Sequence, residues 1–531
     1  MHAHNSPNQL MFDGFETEFE KWLDPNNRWV ILSRLIPWAE LSAAYNISLS
    51  SHMGRPAKDA QLVIGAVIIK HKLCLSDEET IEQIRENPYL QAFVGFKVFH
   101  REKAFAPSLF VEIRRRMGPE VFARFEDSII AQISVREEAG AQPHEAPSDD
   151  DRQPPSEEPV DSPADEKKPE QDLTGEISPH QGKLIVDATV CEQMIRFPTD
   201  LGLLNKAREL SEAIIDTLHP LTGMKKKVRT YRRNARRDYL SLVKQRRPGT
   251  KKRRGGIRQQ LQYLNRNLGH IEMLLDLLPG QEIPLSHKQL RQYWIIQNLY
   301  LQQKQMFDTN TRRCDDPIVS IGQPHVRPIV RGKVNKSVEF GAKLGVSLDQ
   351  NGIACVDHFS WDAYHEGRDL PEQVEAYKNR HGHYPEKLLA DPAYGTRENR
   401  KFLKDKGIRF AGKPLGRPPK IASADKDAER RQKQQDYRER IPIEGKFGQG
   451  KGGYQLNTIR ARTAQTSEAW VRSIFFVLNL LVLIRIFCAR MPECIRTHLM
   501  ATLTDKIRRL IDAIDISVPK LNYHASNVAT F

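Results

Sequence analysis

Between Glu137 and Glu176 the chain carries 14 acidic side chains against three basic ones, seven prolines, and little that is apolar beyond alanine, Val160 and Leu173. Such a stretch cannot bury enough apolar surface to offset the entropy of ordering it, so it is expected to be a disordered tether. It either shields a basic face of the same chain or is simply solvated. Folded parts are therefore expected on both sides of it, in keeping with 531 residues being too many for one core. The segment holds a net charge of −11 and the whole chain +14, which leaves the remainder at +25. A balance this basic favours a polyanionic partner, either nucleic acid or an anionic membrane surface.

The membrane alternative is the weaker one. The apolar run from Ile474 to Ile484 is interrupted by Asn479, followed by Arg485, and too short to span. The start of the chain, with His2, His4 and Asn5, lacks the basic-then-apolar pattern of a secretory leader, so a cytoplasmic protein is expected. The six cysteines are scattered, with no Cys-x-x-Cys pair, which argues against a disulfide framework or a zinc knuckle.

Ahead of the tether, residues 1–136 read as all-helical. Asp59 to Lys72 is apolar nearly all round, as suits a helix at the centre of a bundle. Ser76 and Glu79 form a capping pattern for a second helix that ends at Asn87-Pro88. This pair is compatible with a helix-turn-helix DNA reader and equally with a plain bundle. Arg114, Arg115 and Arg116 on a later helix either grip phosphates or form a solvated face.

After the tether (137–179) the period changes. Leu184-Ile185-Val186 reads as a buried strand ending in Asp187. Ser337 to Leu348 and Ile353 to Ser360 flank an Asn351-Gly352 turn and predict a hairpin; Pro371 to Arg380 predicts a helix, and Lys387 to Ala390 and Ile408 to Ala411 two short strands. This is a mixed α/β layout over 180–204 and 309–494. It is interrupted by a helical insertion over 205–308 and followed by a tail, 495–531. Within the insertion, Ile257, Leu261, Leu264, Leu268, Ile271, Leu275 and Leu278 form a seam that needs a partner helix, and the helix capped by Ser286 and Gln289 is the expected partner. Trp294 on that helix is read as a core side chain, with stacking on a flipped base as the alternative.

The sharpest motif is Tyr437, Arg440, Glu444 and Lys451, at spacings of three, four and seven that bring all four to one side of a helix. Pro442 predicts a break or a helix start there, with Glu444 in the first turn. With Ile185-Val186-Asp187-Ala188-Thr189, the run from Ala390-Asp391-Pro392 to Arg400, and Ile443 to Lys451, the chain resembles a bacterial insertion-sequence DDE transposase of the Tyr-Arg-Glu-Lys group. Gly54 to Gly95 is similar to the N-terminal domain of such enzymes. Pro392 departs from the family pattern and puts the backbone after Asp391 in question.

The resemblance implies an RNase H-like sheet with Asp187, Asp391 and Glu444 as catalytic and metal-binding acids. They would hold two Mg²⁺ ions, or Mn²⁺, for strand cleavage and transfer of a 3′-hydroxyl end. It implies DNA as partner, both terminal inverted repeats and target, and a homodimer or larger assembly in the bacterial cytoplasm, at the nucleoid. A non-catalytic DNA-binding relative and a nuclease of the same fold are the alternatives. Tyr437, Arg440 and Lys451 would contact the element end, with simple packing as the alternative for Tyr437; Arg397 and Asn399 either orient DNA or equally serve as helix caps or solvated side chains. Lys225 to Arg258 holds 16 Lys or Arg and one acid, Asp238. Lys225, Lys226, Lys227, Arg232, Arg233, Arg236, Arg237, Lys251, Lys252, Arg253 and Arg254 are its candidate phosphate contacts, with a solvated arm as the alternative. Lys413 to Lys420 either forms a minor-groove hook or a rigid loop.

Overall fold

The computed structural model describes residues 17–49, 57–141, 180–278, 283–330, 338–413, 415–416 and 426–489. Among the described residues, eight helices start ahead of the acidic segment: α1 (Glu18–Trp22), α2 (Arg28–Leu35), α3 (Trp38–Asn46), α4 (Ala60–Lys72), α5 (Asp77–Glu86), α6 (Pro88–Phe93), α7 (Leu109–Arg116) and α8 (Pro119–Ala141). Their starts are written in short polar side chains. Thr17, Asn27, Asp59, Ser76 and Asn87 each accept a hydrogen bond from the first turn that follows, satisfying donors the helix itself cannot. α4 is buried from Leu62 to His71, as its uniform apolarity predicts. α8 continues to Ala141, five residues into the stretch expected to be tether. The rest of that stretch lies outside the described residues.

β1 (Lys183–Glu192) is followed by α9 (Asp200–Leu218), α10 (Arg232–Val243), α11 (Thr250–Asp276) and α12 (His287–Asp308). The helical insertion thus opens at Asp200, earlier than expected. The α11 seam finds a second partner besides the predicted one. Leu261, Leu264, Leu268 and Ile271 share a core with Leu204, Ala207, Ile214 and Ile215 of α9 as well as with Tyr293, Ile296 and Leu299 of α12. Most of α9 falls in the stretch expected to be helical from Asn205, but it is not singled out there as a seam partner, because its apolar residues begin ahead of that boundary at Leu203 and Leu204. Ser286 and Gln289 do form a reciprocal capping box. Trp294 is not a core residue: it is 59% exposed, because the inward stripe of α12 is made by its neighbours Tyr293, Ile296 and Leu299.

The remaining elements are β2 (Arg327–Val330), β3 (Val338–Leu348), β4 (Ala354–Ser360), α13 (Leu370–His381), β5 (Lys387–Ala390), α14 (Arg397–Asp405), β6 (Arg409–Phe410), α15 (Lys426–Gly453) and α16 (Ala464–Ala489). The strands form one mixed sheet in the order β4-β3-β1-β5-β6, with β2 also on β3. β3 is antiparallel to β1, β2 and β4, whereas β1, β5 and β6 run parallel. The predicted hairpin is β3 and β4, and Gly352 at its turn has φ +87°, a conformation that suits glycine. Alternation along the strands divides the core in two. Leu184, Val186, Leu388 and Ala390 face Leu370, Val374 and Tyr377 of α13, while Ile185 and Leu389 face Ile443 and Phe447 of α15 and Ile474 of α16.

α16 is long and apolar enough to cross a membrane by composition, contrary to the expectation that its apolar run is too short, and 72% of that stretch is buried inside the protein. The run was underestimated because Asn479 interrupts it. Asn479 is wholly buried and is satisfied by β4: its Nδ2 donates to the Ala354 carbonyl at 2.8 Å, and its Oδ1 accepts from the Ala354 N–H at 2.9 Å. Two turns earlier, Arg472 donates to the Val356 carbonyl at 2.9 Å. α16 thereby covers the outer edge of the sheet, which would otherwise present free donors and acceptors. Its other side joins the N-terminal helices in one core, with Phe476 against Phe122 and Phe125.

Candidate active site

Asp187 lies within β1 rather than at its end, because the long antiparallel pairing with β3 carries β1 on to Glu192. The parallel pairing with β5 is what ends here: Val186 is opposite Ala390, the last residue of β5. Asp187 and Asp391 are thus the next residues on two strands that lie about 4.8 Å apart. By alternation both point to the side occupied by α15, since Asp187 follows Ile185 and Asp391 follows Leu389. Pro392 fits this geometry. Asp391 takes the extended conformation favoured before proline, φ −65° and ψ 152°, and Pro392 opens a single 3-10 turn, Pro392–Tyr394, where its missing N–H is no loss.

α15 brings the third acid. It runs unbroken through Pro442, contrary to the predicted break, because Pro442 is on the solvent side, where the Arg438 carbonyl left without its donor can turn to water. Ion pairs anchor the helix to the starts of three strands: Asp436 with Arg409 of β6 at 2.7 Å, and Glu439 with Lys387 of β5 at 2.6 Å and Lys183 of β1 at 3.8 Å. One turn further, Arg440 donates to Glu444 at 2.6 Å, and Glu444 is half exposed. Tyr437 is exposed on the same helix. Burial pushes the Cys191 thiol of β1 strongly up, and Lys451 lies close enough to pull weakly the other way.

The Asp187 carboxyl is pushed up to about 6. Burial is the main cause, with Glu366 and Asp391 adding repulsion, while the Ala188 N–H, which donates at 2.8 Å, and the Arg440 guanidinium pull the other way. Glu366 escaped the sequence reading because it sits in a short turn, residues 366–368, with neither period nor motif. Its carboxylate is held by Lys343 of β3 at 2.8 Å. Tyr394 is fully buried beside Glu366 and Asp187, and its hydroxyl has no hydrogen-bond partner. A hard divalent cation would need several carboxylate oxygens gathered around it. Among the described residues no three His, Cys, Asp or Glu side chains are close enough together to hold one, and Glu444 is engaged by Arg440.

Other predicted residues divide into free and committed. Arg397 is exposed at the start of α14. Asn399, expected to contact DNA, is buried and donates to two carbonyls inside the fold. In the basic stretch Lys225, Lys226, Arg233, Arg236, Lys251, Lys252 and Arg253 are exposed. Lys227 and Arg232 instead pair with Asp216 of α9, at 2.6 and 2.7 Å, Arg237 lies 3.4 Å from Asp238, and Arg254 bonds Asn310 and the Phe307 carbonyl. Arg114 is buried against Asp77 and Trp470, and Arg115 pairs with Glu112, so the triple arginine is not an open phosphate grip. Most of the Lys413 to Lys420 segment lies outside the described residues.

Residues 388–481, which span Asp391 and Glu444, match the family model described as Transposase DDE domain. Residues 17–116, most of the N-terminal helices, match a second model described as a transposase domain. Over these two stretches the chain is similar to DDE transposases. It is 36% identical over 108 residues to a Rhizobium meliloti protein named "Uncharacterized protein ORF8 in nfe locus", a match covering 20% of this chain and 52% of that protein. The chain thus spans about half the length of the curated relative it matches. No solved structure matches it.

Proposed function

We propose that the protein cuts and rejoins DNA at the ends of an insertion sequence, using Asp187, Asp391 and Glu444 around Mg²⁺ on an RNase H-like sheet. The observation that carries this reading is the adjacency of Asp187 and Asp391 at the point where β1 and β5 part, with Glu444 brought to the same side by α15. The strand order β4-β3-β1-β5-β6, with the β1 partner β3 antiparallel and the others on its far side parallel, supports the fold assignment. Divalent ions at these carboxylates would supply the activated oxygen and neutralise the leaving one. Release of Glu444 from Arg440 completes the acid set, and the approach of a DNA phosphate gives Arg440 an alternative partner.

DNA would lie across the exposed Tyr437 and Arg397 and the half-buried Lys451, and its backbone across Lys225, Lys226, Arg233, Arg236 and Lys251 to Arg253. Helices α4 and α5 are the candidate helix-turn-helix reader. Two element ends imply two or more copies of the chain, acting in the bacterial cytoplasm.

The test is cleavage and joining of duplexes carrying the inverted repeats that flank the gene, with and without Mg²⁺. Asp187→Asn, Asp391→Asn and Glu444→Gln are each expected to lower both steps on the order of a thousandfold, the scale of several kcal/mol of lost charge stabilisation. DNA binding should persist. Full activity of Asp187→Asn would overturn the reading, and cleavage without joining would make the protein a nuclease.

A further inference from the structure

A groove of about 340 Å³ runs between α15 and α16, beside the β3–β4 turn. Its walls are apolar, with Leu348 from β3 and Leu478 and Leu481 from α16, yet two cations line it, Lys446 of α15 and Arg485 of α16. Arg485 donates to the Asn351 carbonyl at 3.3 Å, which holds its guanidinium over the turn. The Lys446 ammonium has neither an ion-pair nor a hydrogen-bond partner among the described residues. Burial and the Arg485 guanidinium push it down to about 8, while Asp349 and Cys355 pull the other way. Gln449, exposed one turn further along α15, lines the same groove with a side-chain amide.

Two like charges held in an apolar groove with no acid between them are costly, and an anion that binds both relieves the cost. A guanidinium, an ammonium and an amide together offer the donors that the oxygens of a phosphate accept. Lys446 follows Glu444 by two residues, about 200° around the helix. The groove is therefore on the flank of α15 away from Glu444 and addresses a different phosphate.

We propose that the groove between α15 and α16 is a second phosphate site, in which Lys446 and Arg485 grip one phosphate and Gln449 donates to it. Neither cation belongs to the DNA contacts proposed above, and the site does not depend on the reading of the three acids. The phosphate comes either from the backbone of a bound duplex or from a free phosphate, and the two sources are separated by experiment.

The test uses the full-length chain with Lys446→Met, which keeps an unbranched apolar side chain, and Arg485→Gln, which is at an exposed position and serves if Lys446→Met does not fold. In the first arm, affinity for the flanking-repeat duplex is measured in EDTA by fluorescence anisotropy over a series of KCl concentrations. Each variant is expected to lower the slope of log affinity against log salt by about 0.9, the loss of one phosphate contact. In the second arm, without DNA, melting temperature is followed as inorganic phosphate replaces KCl at constant ionic strength. A ligand that binds the folded chain raises it by mass action, and at a free-phosphate site that rise is smaller in both variants than in the parent. Arg124→Gln, which removes an exposed positive charge on α8, is expected to leave both readouts at the parent's values. A lowered salt slope with an unchanged phosphate response assigns the site to DNA, and the reverse assigns it to free phosphate. Parental behaviour of both variants in both arms, or an equal effect of Arg124→Gln, overturns the inference. A duplex that fails to bind the parent removes the DNA source alone, and the phosphate arm then decides.

Discussion

Asp187 holds its proton more tightly in the folded chain than in the unfolded one, since burial lifts it from 3.8 to about 6. Its contribution to stability is therefore present in full below about pH 4 and is lost as pH rises through 6, when a carboxylate must ionise inside the fold. Asp187→Asn abolishes that titration. In EDTA the variant is expected to exceed the parent at pH 8 by roughly 1–3 kcal/mol, the free energy of ionising a carboxyl whose midpoint folding has raised by about two on the pH scale, and to match it near pH 4. Urea unfolding at the two pH values measures this, and identical midpoints at pH 8 would refute it. The sequence made Asp187, Asp391 and Glu444 visible because each is embedded in a strand or helix pattern. Glu366 and the buried bonds of Asn399 to Gly367 and Tyr394 were invisible, since both depend on two turns meeting that are separated by a helix and a strand.

Elements whose formation rests on local chemistry were the legible ones. The β3–β4 hairpin follows from Asn351-Gly352, and the start of α12 from the Ser286–Gln289 box. Where distant contacts overrule local preference the reading failed. α15 passes through Pro442 because ion pairs of Asp436 and Glu439 and the buried Ile443 and Phe447 fasten it on both sides of that residue. Asn479 read as a flaw in an apolar helix and is in fact the polar handle by which α16 grasps β4. Asn479→Leu would leave a buried N–H and a buried carbonyl of Ala354 without partners. A loss of about 2–4 kcal/mol is expected from two such groups, read as a shift of the chemical unfolding midpoint. A loss under about 0.5 kcal/mol, the size of an ordinary surface change, would show that the two bonds contribute nothing.

At the scale of the whole molecule, the acidic stretch led the sequence reading to treat the N-terminal helices as a separate body, but they share a core with α16. Trp470 is the hinge pin of that junction: Lys70, only 2% exposed, and Arg114 lie over its ring at 4.6 and 5.3 Å, and His71 meets it edge-on. Asp77 neutralises both cations at 2.8 and 2.7 Å, so the cluster is buried with partners rather than stranded. Trp470→Ala is expected to cost about 3–5 kcal/mol and to lower the unfolding temperature of the N-terminal helices and the sheet together. Calorimetry that resolves two transitions, with only one displaced, would contradict a common core. Because α16 is sandwiched in this way, a shortened chain beginning at residue 180 would inherit a greasy flank of Phe476, Val477, Leu480 and Leu483 with nothing to shelter it. Such a fragment would clump in solution, and the part of the chain that carries the sheet cannot be handled as a free-standing piece.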